Sequence, residues 1–236
     1  MVVNFITLKW GTKYGPEYVN RLFWSIRATY SDKFRFVCYT DDAEGLDKEI
    51  IVRDINELPN FSSNIFTIAK IDLFVYFPYK GPRVLLDLDL LVLKDLKQYF
   101  DEYQFSEPRL GYCLWQEPDR IFHSYHRGDC YVNSSFVTWK DDQFKYVYDT
   151  YMENKQLVDM KFRSFDKFMF YFCELNFHPR GIMYSYNFGA EYPDMMESEK
   201  LYDDYYITIF NTSGINEGKE IHETNDWARH YWESRC

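Results

Sequence analysis

Two aspartates interrupt the apolar run RVLLDLDLLVL in the first half of the chain. A carboxylate is costly inside a buried strand unless a partner offsets its lost hydration. Residues i and i+2 of a strand point to the same side, so Asp87 and Asp89 are predicted to face one way and repel each other. A divalent cation removes that repulsion, and carboxylates with substrate phosphates suit Mg²⁺ or Mn²⁺. The pair indicates a metal–diphosphate site, unless the strand ends near Asp87 and both acids simply face solvent.

The segments around this pair alternate between strand-like and helix-like patterns. Four segments rich in β-branched or apolar residues are predicted as strands: 2–8, 34–40, 49–54 and 84–93. A helix is predicted to begin at Pro16, because apolar residues then recur with helical spacing, and the apolar segment 64–77 predicts a buried helix. This alternation predicts an α/β fold with a largely parallel sheet, which binds ligands beyond the carboxyl ends of its strands.

The second half of the chain is less regular. Its predicted strands are 109–114, 131–138 and 205–210, and its predicted helices lie around 144–151 and over 165–172. A short terminal helix is predicted to be capped by Thr224 or Asn225. No linker or internal repeat divides the 236 residues, so a single domain over 1–236 is expected.

The composition excludes several classes of protein. A net charge of −10 argues against nucleic-acid binding and against attachment to anionic lipids. The five cysteines include no CxxC pair, which favours scattered thiols in the reducing cytoplasm over a zinc or redox site. No apolar stretch is long enough for a membrane span, and no signal peptide is expected. Aromatic residues reach 21%; most should fill the core, although such rings also stack on sugars and bases.

Several segments together make the sequence resemble the GT-A glycosyltransferases, especially bacterial and phage enzymes related to the glycogenin and lipopolysaccharide-galactosyltransferase group. The matching segments are FITLKWGTKYGPEYVNRL, FVCYTDD, AKIDLF, RVLLDLDLLVL, YVNSSFVTW, SFDKF, IFNTSG and HETNDWARHYW. They occur in the family's order and span nearly the whole chain. The resemblance implies one GT-A domain with a Rossmann-like, mostly parallel mixed sheet flanked by helices. Its nucleotide-binding half would be 1–93, ending in the DxD motif, and its acceptor and sugar-binding half 94–236.

The resemblance also implies roles for individual residues at the donor site. The nucleotide and diphosphate would contact Thr7, Leu8, Lys9, Tyr14, Asp87 and Leu88, with Tyr14 stacking on the base. Thr40, Asp41 and Asp42 match a family motif that contacts base or ribose, but they fit a plain turn equally well.

Further matches concern the sugar. Lys70 would lie near the donor sugar and the acidic pair, unless it extends to solvent. Asn133 and Ser134 would hydrogen-bond the transferred sugar, although Ser135 stands where the family has glycine. Asp166 would lie against the donor sugar, and Lys167 replaces the usual glutamine, which leaves the identity of that sugar open.

The third metal ligand is the main departure from the family. Ile209 stands where related enzymes carry histidine, so His222 is the favoured replacement and Asn211 the alternative. The loop with Asn211 and Gly214 would add to the diphosphate site. His123 and His126 lie in a polar loop that is either an acceptor lid or simply exposed.

These features predict a hexosyltransferase that uses Mn²⁺ or Mg²⁺. It would move a sugar from a nucleotide-diphosphate donor, UDP by family default, to a hydroxyl of a glycan, lipid or protein. Asp89 would act with Asp87 on the leaving diphosphate. Asp166 would be the base if the reaction inverts, or would position the sugar if it retains, which is the favoured outcome.

Two other classes remain open on the sequence alone. The first is a non-catalytic protein that binds nucleotide sugars or glycans, although such a protein has no need of an intact DxD. The second is a haloacid-dehalogenase-like phosphatase, whose nucleophile motif DLDLL superficially resembles. That motif normally lies in the first strand of its domain and is followed by a small hydroxyl residue, whereas Leu90 follows here.

Overall fold

The computed structural model describes residues 2–62, 66–112, 130–162, 164–179, 181–185 and 205–210. Their strands are β1 (Val3–Lys9), β2 (Phe34–Thr40), β3 (Ile51–Asp54), β4 (Pro82–Leu86), β5 (Leu90–Val92), β6 (Arg109–Tyr112), β7 (Val132–Lys140), β8 (Met183–Ser185) and β9 (Ile207–Ile209). Their α-helices are α1 (Pro16–Thr29), α2 (Leu73–Tyr76), α3 (Leu96–Tyr103), α4 (Lys145–Lys161) and α5 (Phe165–Phe172). Two 3₁₀ helices span Ile55–Glu57 and Phe66–Asp72.

Six strands form the main sheet in the order β3-β2-β1-β4-β7-β6. The first four are parallel, whereas β7 is antiparallel to both of its neighbours. The chain runs outward from β1 to β3 and then returns to β4 on the other side of β1. The topological switch point therefore lies between β1 and β4, and ligands of open α/β sheets bind at the carboxyl ends of the strands at such a point. The predicted α/β class is confirmed.

Apolar side chains cover both faces of the main sheet. Phe5 and Phe36 point to one face, where α1 and α3 pack, and the neighbouring residues Ile6 and Val37 point to the other face. That second face is covered by the 3₁₀ helix Phe66–Asp72 together with α2, α4 and α5. In the described part of the chain, no helix is long and apolar enough to cross a membrane.

The predicted helix over 64–77 is wrong in form, because its described part is a 3₁₀ helix followed by the single turn α2. Residues 68–74 are all buried, as the prediction of a buried helix expects, so the difference lies in the type of helix and not in its burial. The buried carboxylate of Asp72 also accepts hydrogen bonds from the Asn60 main-chain N–H and side-chain amide, each at 2.6 Å. Burial raises the pKa of Asp72, and these bonds from Asn60 oppose the rise.

The predicted single strand over 84–93 is also wrong. Strand β4 ends at Leu86, and β5 belongs to a separate three-stranded sheet in the order β5-β9-β8. The chain leaves the main sheet across 87–89, where the Phe210 N–H donates to the Asp89 carbonyl at 2.7 Å. The two aspartates therefore lie at the junction of two sheets, where carboxylates need not be buried in a central strand.

The remaining sequence predictions differ from the structure mainly at the ends of elements. The predicted helix over 165–172 has the bounds of α5. The helix predicted around 144–151 is longer, because α4 runs to Lys161. The predicted strands 49–54, 109–114, 131–138 and 205–210 correspond to β3, β6, β7 and β9. The predicted terminal helix at Thr224 or Asn225 lies outside the described residues.

Candidate functional site

Asp87 follows β4 directly and has a partner for each carboxylate oxygen. Its Oδ1 lies 2.7 Å from the Lys70 ammonium, and its Oδ2 accepts a hydrogen bond from the Ser135 hydroxyl at 3.0 Å. The Asp87 N–H donates to the Ser135 carbonyl at 3.1 Å. The side chain is still 32% exposed, so one side of the carboxylate stays open to a ligand.

Lys70 is a buried cation at the centre of this cluster, with an exposed fraction of only 4%. Its ammonium donates to the Ser134 carbonyl at 3.1 Å and to the Ser134 hydroxyl at 3.0 Å. The alternative in which this lysine extends to solvent is therefore wrong. A lysine is rarely buried unless it is paired, and here the carboxylate of Asp87 compensates its charge.

The antiparallel pairing of β4 with β7 explains why Ser134 and Ser135 meet Asp87. In that register Leu86 pairs with Phe136, so the first residues of β7 lie beside the chain just beyond β4. The Asn133 side-chain carbonyl accepts a hydrogen bond from the Ser135 N–H at 2.8 Å, which fixes the orientation of the Asn133 side chain within β7. Asn133, Ser134 and Ser135 are all buried.

Asp166 joins the cluster from the first turn of α5. Burial raises the pKa of this carboxyl, the Lys70 charge and hydrogen bonds from Ser134 oppose the rise, and the Asp87 charge adds to it. Although the residue as a whole is half-buried, its Oδ1 lies below the surface and has no hydrogen-bond partner among the described residues. The neighbouring Lys167 is exposed instead.

The position of α5 is fixed by two contacts at its amino terminus. Ser164 caps the helix, since its hydroxyl accepts a hydrogen bond from the Lys167 N–H at 3.5 Å. The Phe165 N–H donates to the Thr67 hydroxyl at 3.2 Å, which ties α5 to the 3₁₀ helix that carries Lys70. Asp166 and Lys70 are thus held by elements in direct contact.

The second aspartate of the motif lies in the same junction between β4 and β5, and because 87–89 is not a strand the predicted same-side orientation of the two carboxylates stays a prediction. Leu88 is buried in the core, whereas Asp87 and Asp89 on either side of it are half-buried. Ile209 is fully buried and pairs with Leu90, so it supplies no ligand where related enzymes have histidine. Asn211, Gly214, His222, His123 and His126 lie outside the described residues.

The carboxylates of Asp87 and Asp89 would fit a hard divalent cation only if phosphate oxygens of the donor complete the coordination shell of the ion. No group of three or more His, Cys, Asp or Glu residues in the described part of the chain is placed to hold a metal. Asp87 and Asp89 remain as the pair, and the Asp87 carboxylate has lone pairs beyond those used in its contacts with Lys70 and Ser135. Mg²⁺ is commonly held by one or two carboxylates together with substrate phosphates.

The residues predicted to contact the nucleotide lie at the carboxyl ends of β1 and β2. The buried Thr7 hydroxyl has no partner among the described residues, and the buried Lys9 ammonium donates to the Asp42 carbonyl at 3.4 Å. Leu8 packs in the core. The half-buried Tyr14 ring contacts Tyr18 edge-on at 4.8 Å, and the Lys13 ammonium lies 4.8 Å from its centroid.

The segment 40–42 is held as a turn by its own hydrogen bonds. The Thr40 hydroxyl donates to the Asp42 carbonyl at 2.8 Å and accepts from the Asp42 N–H at 3.1 Å. Asp41 accepts from the Gly11 N–H at 2.9 Å, which joins this turn to the one after β1. A contact of these residues with base or ribose stays a prediction.

The sequence did not reveal that Ser135 contacts Asp87 or that Gly111 lies close against the backbone of Asn133. Both depend on strand register, which no local pattern encodes. Gly111 lies at an irregularity in the pairing of β6 with β7, opposite Asn133. A Cβ atom built on it would lie 2.7 Å from the Asn133 carbonyl oxygen and 2.5 Å from the end of Met183.

Replacing Gly111 by alanine is expected to displace the backbone at Asn133, because a carbonyl oxygen cannot move aside as a side chain can. Overpacking of this kind typically costs about 1–3 kcal/mol. Urea unfolding should show that loss. Gly15→Ala is the control, since its new methyl group meets only the flexible end of Glu17. Equal stability of the Gly111→Ala variant and the wild type would contradict the close approach.

Solved structures similar to this chain in fold include several glycosyltransferases. The galactosyltransferase LgtC, in complex with donor and acceptor sugar analogues, aligns with a TM-score of 0.66 at 15% identity over 98% of this chain and 95% of its own. The bifunctional glycosyltransferase WbbM gives 0.70 at 12% identity over 100% of this chain and 50% of its own. The glycosyltransferase GlyE of Streptococcus pneumoniae TIGR4 gives 0.61 at 13% identity over 99% of this chain and 60% of its own.

No family model and no curated protein sequence matches the chain. At such low identities the structural likeness shows the fold, and it is the GT-A-like fold that the sequence predicts. The chain spans nearly all of LgtC and about half of WbbM.

Proposed function

We propose that this protein is a metal-dependent glycosyltransferase that moves a sugar from a nucleotide-diphosphate donor, UDP in the first instance, to an acceptor hydroxyl. The observation that carries this proposal is the cluster of Asp87, Lys70, Ser134 and Asp166 beyond the carboxyl end of β4. It lies at the topological switch point of a sheet whose fold is that of known glycosyltransferases.

Asp87 and Asp89 are the residues that would hold Mn²⁺ or Mg²⁺ in this protein. Such an ion stabilises the negative charge that develops on a leaving diphosphate. Lys70 pairs with one oxygen of the Asp87 carboxylate and holds that carboxylate in place. The carboxylate remains partly exposed, so it could also contact the ion that binds the donor. Ser135 fixes the second oxygen of the same carboxylate, so its orientation is set before the donor arrives.

The bond that breaks joins the anomeric carbon of the sugar to an oxygen of the diphosphate, which keeps the electron pair. The acceptor oxygen forms the new bond to that carbon and loses its proton. In the retaining course that we favour, the proton passes to the departing diphosphate oxygen. Asn133 and Ser134 would hold the sugar hydroxyls during this exchange.

Asp166 is better suited to positioning the sugar than to taking a proton from the acceptor. Its carboxyl group is buried and hydrogen-bonded by Ser134, and its free Oδ1 can accept a hydrogen bond from a sugar hydroxyl. The anomeric configuration of the product, read by NMR, decides the course: an inverted product would make Asp166 the candidate base.

Asp166→Asn is expected to abolish turnover while keeping or raising stability at neutral pH. Because burial raises the pKa of Asp166 above its ordinary value of 3.8, the charged form costs folding free energy. Wild-type stability should therefore decline as the pH rises from that value through the raised folded pKa, and the variant should lack this decline. Melting temperatures of both proteins across the acid range test this. A variant that is less stable than the wild type at neutral pH would contradict it.

A thermal-shift screen tests the donor class directly. UDP-, GDP-, ADP- and CMP-sugars are each added with and without Mn²⁺, because a ligand that binds only the native state raises the melting temperature. We expect UDP-sugars to raise it when Mn²⁺ is present. Binding of a nucleotide sugar without any hydrolysis would favour a non-catalytic binder, and no shift with any of them would oppose the proposal.

A further inference from the structure

A continuous set of aromatic rings lies beside the candidate sugar site. Tyr131 immediately precedes β7, and its ring centroid is 4.7 Å from that of Phe170 on α5 and 5.6 Å from those of Tyr112 and Phe177. We call Tyr112, Tyr131, Phe170 and Phe177 the aromatic ledge. Tyr131 is 37% exposed, and the other three are half-buried.

The aromatic ledge begins where the candidate sugar site ends. Phe170 follows Asp166 by four residues on α5, so the two share a face of the helix and stand about 6 Å apart along its axis. Tyr131 precedes Asn133 by two residues. Helix α5 packs against β7, and the contact of Tyr131 with Phe170 places the segment entering β7 beside this helix. The offset from Asp166 to the ledge is therefore comparable to one sugar ring.

These rings are not simply part of the core. Phe165 and Phe168 on the same helix are fully buried, whereas Phe170 and Tyr131 leave part of their surface open beside a polar cluster. A contiguous patch of partly exposed apolar surface on a monomer commonly marks a binding site.

The chemistry of the ledge fits a saccharide better than a lipid surface. Sugar rings have apolar C–H faces that pack on aromatic faces, and their hydroxyls can meet the phenol groups at Tyr112 and Tyr131. The net charge of −10 opposes approach to an anionic membrane. The rings are also partly buried against one another, whereas a segment that binds at a membrane surface exposes a large apolar face for insertion.

We infer that the aromatic ledge binds a sugar ring of the acceptor, so that the acceptor is an oligosaccharide. The role as an acceptor rests on the proposed glycosyl transfer, whereas binding of the oligosaccharide can be measured without turnover. The ledge holds one ring by stacking and presents the hydroxyl of the adjoining ring beside Asp166 and Asn133.

An array of defined plant, animal and bacterial oligosaccharides tests the ledge in the full chain. The wild type is expected to bind a restricted set, and Tyr131→Ala to bind the same set about threefold to tenfold more weakly, as expected for loss of one aromatic contact. Tyr131→Phe keeps the ring face and should stay close to the wild type. Tyr76→Ala is the matched control, because Tyr76 is 47% exposed and, among the described residues, its ring contacts Tyr148 and no ring of the ledge.

Two results would overturn the inference: no oligosaccharide binds the wild type, or Tyr131→Ala binds as well as the wild type while remaining folded. Release of nucleotide from UDP-sugars by the wild type, without any oligosaccharide, tests the proposed function separately. Nucleotide release without oligosaccharide binding would overturn the assignment of the aromatic ledge as an acceptor-binding surface and would leave the proposed function standing. Oligosaccharide binding without nucleotide release would support binding at the aromatic ledge and would contradict the proposed glycosyl transfer.

Discussion

Replacing Asp87 by asparagine is expected to lower the rate of nucleotide release from a UDP-sugar by about 10²–10³-fold, the range seen when one preorganised electrostatic contact is removed. The variant keeps the shape of the side chain and its hydrogen bond with Ser135. It loses the charge that pairs with Lys70 and that would hold the metal with Asp89. Initial rates at saturating donor and Mn²⁺ measure the effect.

Asp149→Asn is the control for this loss of charge. Asp149 is an exposed carboxylate on α4 that pairs with Lys145 at 2.6 Å, so its replacement also removes an acid from an ion pair. Surface pairs of this kind contribute about 0–1 kcal/mol, and the rate of nucleotide release should not change. A rate for Asp87→Asn equal to that of Asp149→Asn would remove Asp87 from the catalytic site.

Lys70→Met is expected to abolish turnover and also to destabilise the protein. The variant keeps most of the side-chain volume but leaves the carboxylates of Asp87 and Asp166 without their shared cation. Removing one partner of a buried pair typically costs about 3–5 kcal/mol, and the partial exposure of Asp87 places this case at about 3 kcal/mol or below. Urea unfolding at neutral pH measures the loss.

The double variant Lys70→Met/Asp87→Asn separates stability from function. Because it has no unpaired charge at Asp87, it should regain part of the stability lost in Lys70→Met, while turnover stays absent. The difference between the double variant and the sum of the single variants gives the coupling energy of the pair. Independent, additive effects would show that the contact at 2.7 Å contributes nothing to the folded state.

Local patterns were sufficient to predict the fold class and the place of the acidic pair. The β-branched runs at β1 and β2 and the apolar segment before Asp87 predicted three of the six strands of the main sheet, and their alternation with helices predicted the α/β class. The form of two segments was missed for physical reasons. Apolar residues on both sides of Asp87 continue the strand pattern, whereas β4 ends at Leu86 and β5 pairs with β9 in the second sheet.

The contacts within the site depend on strand register and on burial. The sequence allowed Lys70 to face either solvent or the acids, and the choice follows from the packing of a 3₁₀ helix between the sheet and α5. Ser135 reaches Asp87 only because Leu86 pairs with Phe136. No pattern within β7 or β4 alone specifies that pairing, since register is set by tertiary packing.

The metal dependence of donor turnover tests the central claim most directly. Wild-type protein is treated with EDTA, the chelator is removed, and nucleotide release from UDP-sugars is followed as Mn²⁺ is restored, with Asp89→Asn measured in parallel. We predict no release without the ion, recovery that saturates with Mn²⁺ in the wild type, and little recovery in Asp89→Asn. Full release by the metal-free wild type would contradict the assignment of Asp87 and Asp89 as a metal–diphosphate site.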